Sequence, residues 1–217
     1  MPHSSPEADV AGHGTAVEFL PTAVLPAPES AATDEGFGSH AAFHDAAMAY
    51  LRAGPDAPRD SALLAEPGGM SARTAPCTEG SPAVLIDLDP DGGVLNLTAD
   101  TAVRGLPQTL ASLRAQGVDV FWISEHGAGA AGDIRRILRD SGLDPQGRDP
   151  LLLMRYPDDR KQTRRQDLAA SHCLLAIAGD SRRDFDEMFA YLRDPDALTA
   201  ADPLLGTRWF LIPHPLD

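Results

Sequence analysis

The sequence predicts an α/β fold with a central parallel sheet, on three observations. Short runs of branched apolar residues recur at 84–86, 118–123, 151–154 and 174–178, and continuous apolar runs bounded by turn residues suit strands buried on both faces. Between them lie stretches with apolar residues three and four apart, so strand and helix alternate and the crossovers should be right-handed. The runs also end in polar residues: Asp87 and Asp89, then Ser124, then Gly179-Asp180. Ligands of open α/β sheets bind at that carboxyl edge.

Residues 1–36 are rich in Pro, Ala, Ser, Glu and Gly and are expected to be a disordered N-terminal segment, where His3 and His13 hold no metal. Residues 37–81 read as a short helical extension and linker. Phe43, Ala47, Tyr50 and Leu51 fall at helical spacing over 37–53, before Gly54-Pro55. His40 and His44 stand one turn apart with no third ligand nearby, which favours packing or surface roles. Residues 55–81 are expected to be linker, with one helical turn at 61–66.

The domain proper runs over 82–217. Its first strand, 83–87, follows Pro82, and 89–101 is too short for more than a flap. A helix over 107–116 places Leu106, Leu110 and Leu113 on one stripe, with Gly117 at its C-cap. Strand 118–124 and helix 130–141 follow, the helix turning Ile134, Ile137 and Leu138 inward. Next come a short strand over 151–154, a basic helix over 161–171 and a strand over 174–178. A helix over 184–193, with Phe185, Met188, Phe189 and Leu192 inward, and a strand over 208–212 close the chain. The first of these strands should be central, between the second and the fourth.

The chain has 217 residues and a formal net charge of −14. An acidic chain without a basic stripe argues against nucleic acid as a partner. No apolar run approaches the ~20 residues of a membrane span. The two cysteines, Cys77 and Cys173, make no framework; Cys173 opens an apolar run and reads as a small core residue. A bond between them is possible, but nothing in the sequence supports it. The first residues lack the basic start and unbroken apolar stretch of a signal peptide, since Glu18, Pro21 and Pro26 interrupt the only candidate. Cys77 follows no apolar run either, so the chain is expected to be cytoplasmic.

Asp87 and Asp89 point to one side of an extended segment. Two carboxylates that close need a proton or a cation. Lys161 is the only lysine, in a chain whose other basic residues are all arginine. The order Asp-x-Asp, Ser, Lys, Gly-Asp-x-x-x-Asp resembles the four motifs of the haloacid dehalogenase (HAD) superfamily. More narrowly it is similar to the class C acid phosphatases and the related outer-membrane 5′-nucleotidases. The local likeness is greatest over 179–185 and 206–215, and the resemblance covers roughly residues 82–215.

That resemblance implies a HAD-like Rossmannoid three-layer fold with no large cap. It further implies a Mg²⁺-dependent phosphomonoesterase that acts on a small phosphorylated substrate through an aspartyl-phosphate. Asp87 would be the nucleophile, Asp89 the general acid and base, and Lys161 the charge-neutralising cation. Ser124 and His126 would contact substrate. Asp87, the Asp89 backbone, Asp180 and Asp184 would hold Mg²⁺. Two departures stand out: Pro90-Asp91 where the family usually reads Glu-Thr, and Glu125-His126 where it reads Asn-Arg. A catalytically impaired phosphate- or nucleotide-binding protein of the same fold is the alternative. The family is also usually exported, unlike the expectation for this chain. A two-component receiver domain also uses an Asp cluster, a hydroxyl and a Lys, but with its phosphorylated Asp on a middle strand and its Lys after the last one.

Overall fold

The computed structural model describes residues 34–53, 59–69, 71–77, 80–99, 101–194 and 199–216, with side chains from His40 onward. Most of the segment expected to be disordered, with His3 and His13, lies outside the described residues, as does the Gly54-Pro55 stop.

Five parallel strands form one sheet in the order β5-β4-β3-β6-β7. They are β3 (Ser81–Asp87), β4 (Asp119–Gly127), β5 (Leu151–Met154), β6 (His172–Gly179) and β7 (Trp209–Leu211). The strand that carries Asp87 is therefore central, between β4 and β6, as the sequence predicts. Side-chain alternation splits the sheet between two cores. Val84, Ile86, Val120 and Trp122 enter one core, with Phe43, Leu110 and Ile137 from the helices α1 (Asp34–Arg52), α2 (Leu106–Ala115) and α3 (Ala131–Asp140). Ala83, Leu85, Phe121 and Ile123 enter the other, with Leu168 of α4 (Lys161–Ala169). The result is three layers with the sheet in the middle. Leu175 is an extra residue in the β3–β6 register, which passes from Leu174 to Ala176.

The N-terminal helix is part of the packed structure. Phe43 and Ala47 are fully buried, and Phe43 meets the edge of the Phe210 ring at 5.6 Å. A buried phenylalanine of this kind contributes about 2–3 kcal/mol. His40 is buried in this packing, and His44 Nε2 lies 3.0 Å from Ser112 Oγ, so the pair is not arranged around a metal.

Three expectations are corrected. First, the helical turn expected at 61–66 is a strand. β1 (Asp60–Leu64) pairs antiparallel with β2 (Thr74–Pro76), and Ala62, Leu63 and Leu64 are buried in the second core. The short apolar run is equally compatible with a strand, and packing on the sheet decides it. Second, no helix covers 184–193; two 3₁₀ turns, Arg182–Asp184 and Glu187–Ala190, replace it. Asp186 is extended and accepts from Met188 N at 2.9 Å, capping the second turn and interrupting any continuous helix. Phe185 and Phe189 still point inward, but onto Trp209.

Third, Cys77 and Cys173 form a disulfide, with Cα atoms 5.3 Å apart. It ties the end of the hairpin to the start of β6. Gly80, just before β3 and with φ +116°, passes so close that a side chain there would meet the Ser171 carbonyl oxygen at 2.6 Å. The partners are 96 residues apart, and only the docking of the hairpin brings them together.

Candidate active site

Asp87 ends β3 and is 1% exposed. Lys161, at the first position of α4, donates to Asp87 Oδ1 at 2.7 Å and Oδ2 at 2.8 Å, and lies 2.8 Å from Asp89 Oδ2. The lysine thus answers the charge problem of two close carboxylates. It does so while largely buried, its side chain only 13% exposed. The sequence places this lysine at the start of a basic helix; the structure encloses it.

Asp89 is saturated with donors. Oδ1 accepts from Leu95 N at 3.0 Å and Ser124 Oγ at 2.7 Å, and Oδ2 accepts from Glu125 N at 2.6 Å. Burial works against its charge, yet Lys161, Ser124 and the Leu95 amide together hold its carboxyl below the usual range. For Asp87 the balance falls the other way: burial outweighs Lys161 and pushes its carboxyl up. Burial likewise disfavours the Lys161 ammonium, but the two aspartates outweigh it and hold its pKa above the ordinary lysine value.

The end of β6 brings in the fourth motif. Asp184 tucks under Gly179, where an added Cβ would meet its Oδ2 at 2.3 Å, so only glycine fits. Asp184 Oδ2 accepts from Ser181 N at 2.9 Å in a capping box. It is nonetheless buried. Burial, with the nearby Asp87 charge, pushes its carboxyl up to about 8. Asp180 Oδ2 accepts from Asp91 N at 3.3 Å, whereas its Oδ1 is buried without a partner, and burial raises its pKa too.

Ser124 is fully buried near the end of β4, which runs three residues further than the sequence suggests. His126 does not face this group. Its Nε2 lies 2.8 Å from the Leu95 carbonyl, so the ring anchors the segment after β3. Among its described residues, 88–99 and 101–105, that segment carries turns and bends, one isolated bridge from Ala102 to Leu216, and no inserted domain. The pocket between it and α4 is lined by Asp89, Asp91, Glu125, Lys161, Asp184 and Tyr191, the last 78% exposed.

Sequence reasoning missed part of the wall. Arg160 and Glu187 form an ion pair at 2.8 Å, Arg183 lies 3.6 Å from Asp91, and Gln162 and Arg165 line the pocket with Lys161. The run 160–165 holds four basic residues and reads as a solvated helix face; the direction of each became legible only once the helix was docked.

No family model matches the sequence. No curated protein matches it either. The fold does have solved counterparts. The chain is similar to a class C acid phosphatase from Bacillus anthracis with tungstate bound, at 17% identity and a TM-score of 0.62, over 86% of this chain and 80% of that one. A second structure of the class C acid phosphatase from the same organism matches at 20% identity and a TM-score of 0.54, over 83% of this chain and 78% of that one. The fold is that of the class C acid phosphatases, a HAD-type α/β fold. At this identity the likeness speaks to the fold, and the chemistry must be argued from the side chains.

Among the described residues, no three His, Cys, Asp or Glu side chains are drawn together as a ready cation site. The donor set nevertheless fits a hard divalent cation. Asp180 Oδ1 is an orphaned buried acceptor, and burial with neighbouring negative charge pushes the Asp184 carboxyl up to about 8. Both are conditions that a cation relieves.

Proposed function

We propose that the chain is a phosphomonoesterase that depends on Mg²⁺ and works through an aspartyl-phosphate on Asp87. One observation carries this reading: a single buried lysine bridges Asp87 and Asp89 at the carboxyl end of the central strand, with Ser124 bonded to Asp89.

In this reading Asp87 attacks the phosphorus of a small phosphate monoester. The Asp87–phosphorus bond forms as the bond to the leaving oxygen breaks. Asp89 gives its proton to the leaving oxygen, then takes one from the water that cleaves the acyl phosphate. In the resting arrangement Asp89 is ionised and held by four donors, so it must first gain a proton. A phosphate that draws Lys161 and Ser124 onto its own oxygens removes two of those donors and lifts the Asp89 pKa. Asp87, the Asp89 carbonyl, Asp180 and Asp184 would hold Mg²⁺, which supplies charge neutralisation for the phosphoryl oxygens. Ser124 and Lys161 bind the transferring group, and the exposed pocket rim leaves room for varied leaving groups.

The test is hydrolysis of p-nitrophenyl phosphate by the purified chain with added Mg²⁺ and with EDTA. Turnover that needs Mg²⁺ supports the reading. No turnover with Mg²⁺, alongside retained binding of inorganic phosphate, would favour a phosphate-binding protein of the same fold.

The Cys77–Cys173 bond bears on location, because disulfides persist mainly in oxidising compartments. We propose an exported setting in place of the cytoplasmic one expected from the sequence. A thiol count on chain isolated from its own cells, denatured without reductant, should find none free; two free thiols would contradict the proposal.

A further inference from the structure

Arg164 and Arg165 are the least expected residues on α4. They follow Lys161 by three and four positions, so all three project from one face of the helix. Arg164 is 3% exposed and Arg165 1%. Arg164 Nη1 donates to the Ser124 carbonyl at 2.6 Å and to the Leu152 carbonyl. Arg165 Nη1 donates to the Asp184 carbonyl at 2.8 Å, and its Nη2 donates to Gln162 Oε1 at 2.8 Å. Arg164 Nη2 also donates to the Asp159 carbonyl at 3.3 Å and its Nε lies 3.9 Å from the buried Asp159 Oδ2, although neither Nε has a hydrogen-bond acceptor.

As stabilisation this is a poor use of two guanidinium groups. Burying a charge costs several kcal/mol, and apolar side chains of similar volume often serve a core as well or better. What the arrangement does provide is register. One helix face grips three separate segments: Lys161 holds the two aspartates after β3, Arg164 holds the backbone of Ser124, and Arg165 holds the backbone of Asp184. Arg forks suit this task, since several fixed donors meet carbonyls in set directions.

We propose that Arg164 and Arg165 are positioning residues, Arg164 fixing Ser124 and Arg165 fixing Asp184 relative to Lys161. The proposal rests on the phosphomonoesterase reading for its kinetic consequences only. Its geometric content can be tested without turnover, because Lys161 is the only lysine in the chain. Acetylation of the full-length protein by acetic anhydride over a pH series, which separates access from ionisation, read by peptide mass spectrometry, reports how well Lys161 is held.

Arg164→Met and Arg165→Met should each acetylate Lys161 roughly tenfold faster than the parent, the size expected from losing a charge-assisted hydrogen bond, with cooperative melting retained. In turnover the two should separate. Arg164→Met should raise KM for p-nitrophenyl phosphate with little change in the Mg²⁺ requirement, and Arg165→Met should raise the Mg²⁺ requirement with little change in KM. Arg164→Gln and Arg165→Gln keep a donor and add no second lysine, and should fall between parent and Met variant; they also serve if a Met variant does not fold. Unchanged Lys161 acetylation would overturn the proposal. So would KM and Mg²⁺ requirement rising together in both variants in step with lost melting temperature, which is what a merely structural role gives. A parent that hydrolyses nothing would defeat the phosphomonoesterase reading. The acetylation rates would then decide this proposal alone, faster labelling supporting it and unchanged labelling overturning it.

Discussion

Replacing Lys161 by methionine keeps the length of the side chain and removes its charge. The ammonium lies 2.7 Å from Asp87 and 2.8 Å from Asp89, with its side chain 13% exposed. Unit charges about 4 Å apart attract by about 4 kcal/mol at an effective dielectric of about 20, so two contacts give about 8 kcal/mol gross. Desolvation offsets much of this, and breaking a buried pair by removing one partner costs about 3–5 kcal/mol net. For a chain of this size that is a fall of roughly 10 °C in melting temperature. The fall should depend on pH. Without its lysine Asp87 is raised further, and a group with a raised folded pKa contributes stability at low pH that is lost as pH rises through that pKa. The variant should therefore melt well below the parent at about pH 7.5 and close to it at about pH 5. Turnover should be abolished, and Lys161→Arg should lose nearly as much, since a planar fork does not fit the space of an ammonium. Melting curves at the two pH values, paired with p-nitrophenyl phosphate turnover, check this. Parent-like melting and turnover in Lys161→Met would refute the buried bridge.

Other outcomes follow from the same geometry. In chelator, the parent should lose stability as pH rises toward 8, because Asp184, raised to about 8, must ionise in a buried acidic setting; Mg²⁺ should restore melting temperature most at the high end, as differential scanning calorimetry can read. Asp89→Asn should slow hydrolysis of alkyl phosphates far more than that of p-nitrophenyl phosphate, whose leaving oxygen needs little protonation; equal losses in a substrate series would contradict a role as acid. Cys77→Ser should cost about 4–5 kcal/mol of stability, the loop-closure figure for a link spanning 96 residues, measurable by urea unfolding, with kcat unchanged.

The fold was legible where a residue pattern depends on its own neighbours. The apolar runs at 84–86 and 174–178, branched and closed by turn residues, read as buried strands, and the acids beyond them marked the carboxyl edge. The pattern failed where tertiary contact decides. The Ala62–Leu64 run fits a helical turn or a strand until it docks on β6. The Phe185 and Phe189 spacing is helical, but capping by Asp186 divides the segment into separate turns. Cys77 and Cys173 meet only because that hairpin docks. At the site, Asp87, Asp89, Ser124 and Lys161 come together as the motif order implies. His126 turns to the Leu95 carbonyl instead, and no local signal in Glu125-His126-Gly127 gives that direction. The buried arginines were hidden for a similar reason: Lys161 to Arg165 reads as polar surface, and only the position of α4 against the strand ends turns Arg164 and Arg165 inward.

The central claim is that Asp87 itself attacks phosphorus. The most direct measurement is acid quench of the full-length chain during turnover of a phosphate monoester, followed by mass spectrometry of the peptide that contains Asp87 and Asp89. One added phosphoryl group should be found, on Asp87, and should accumulate more in Asp89→Asn with p-nitrophenyl phosphate, since the water that cleaves it then lacks its base. No such adduct, and no turnover, should be found in Asp87→Asn. Sustained hydrolysis by Asp87→Asn, or a phosphoryl group found on any other residue, would contradict the claim.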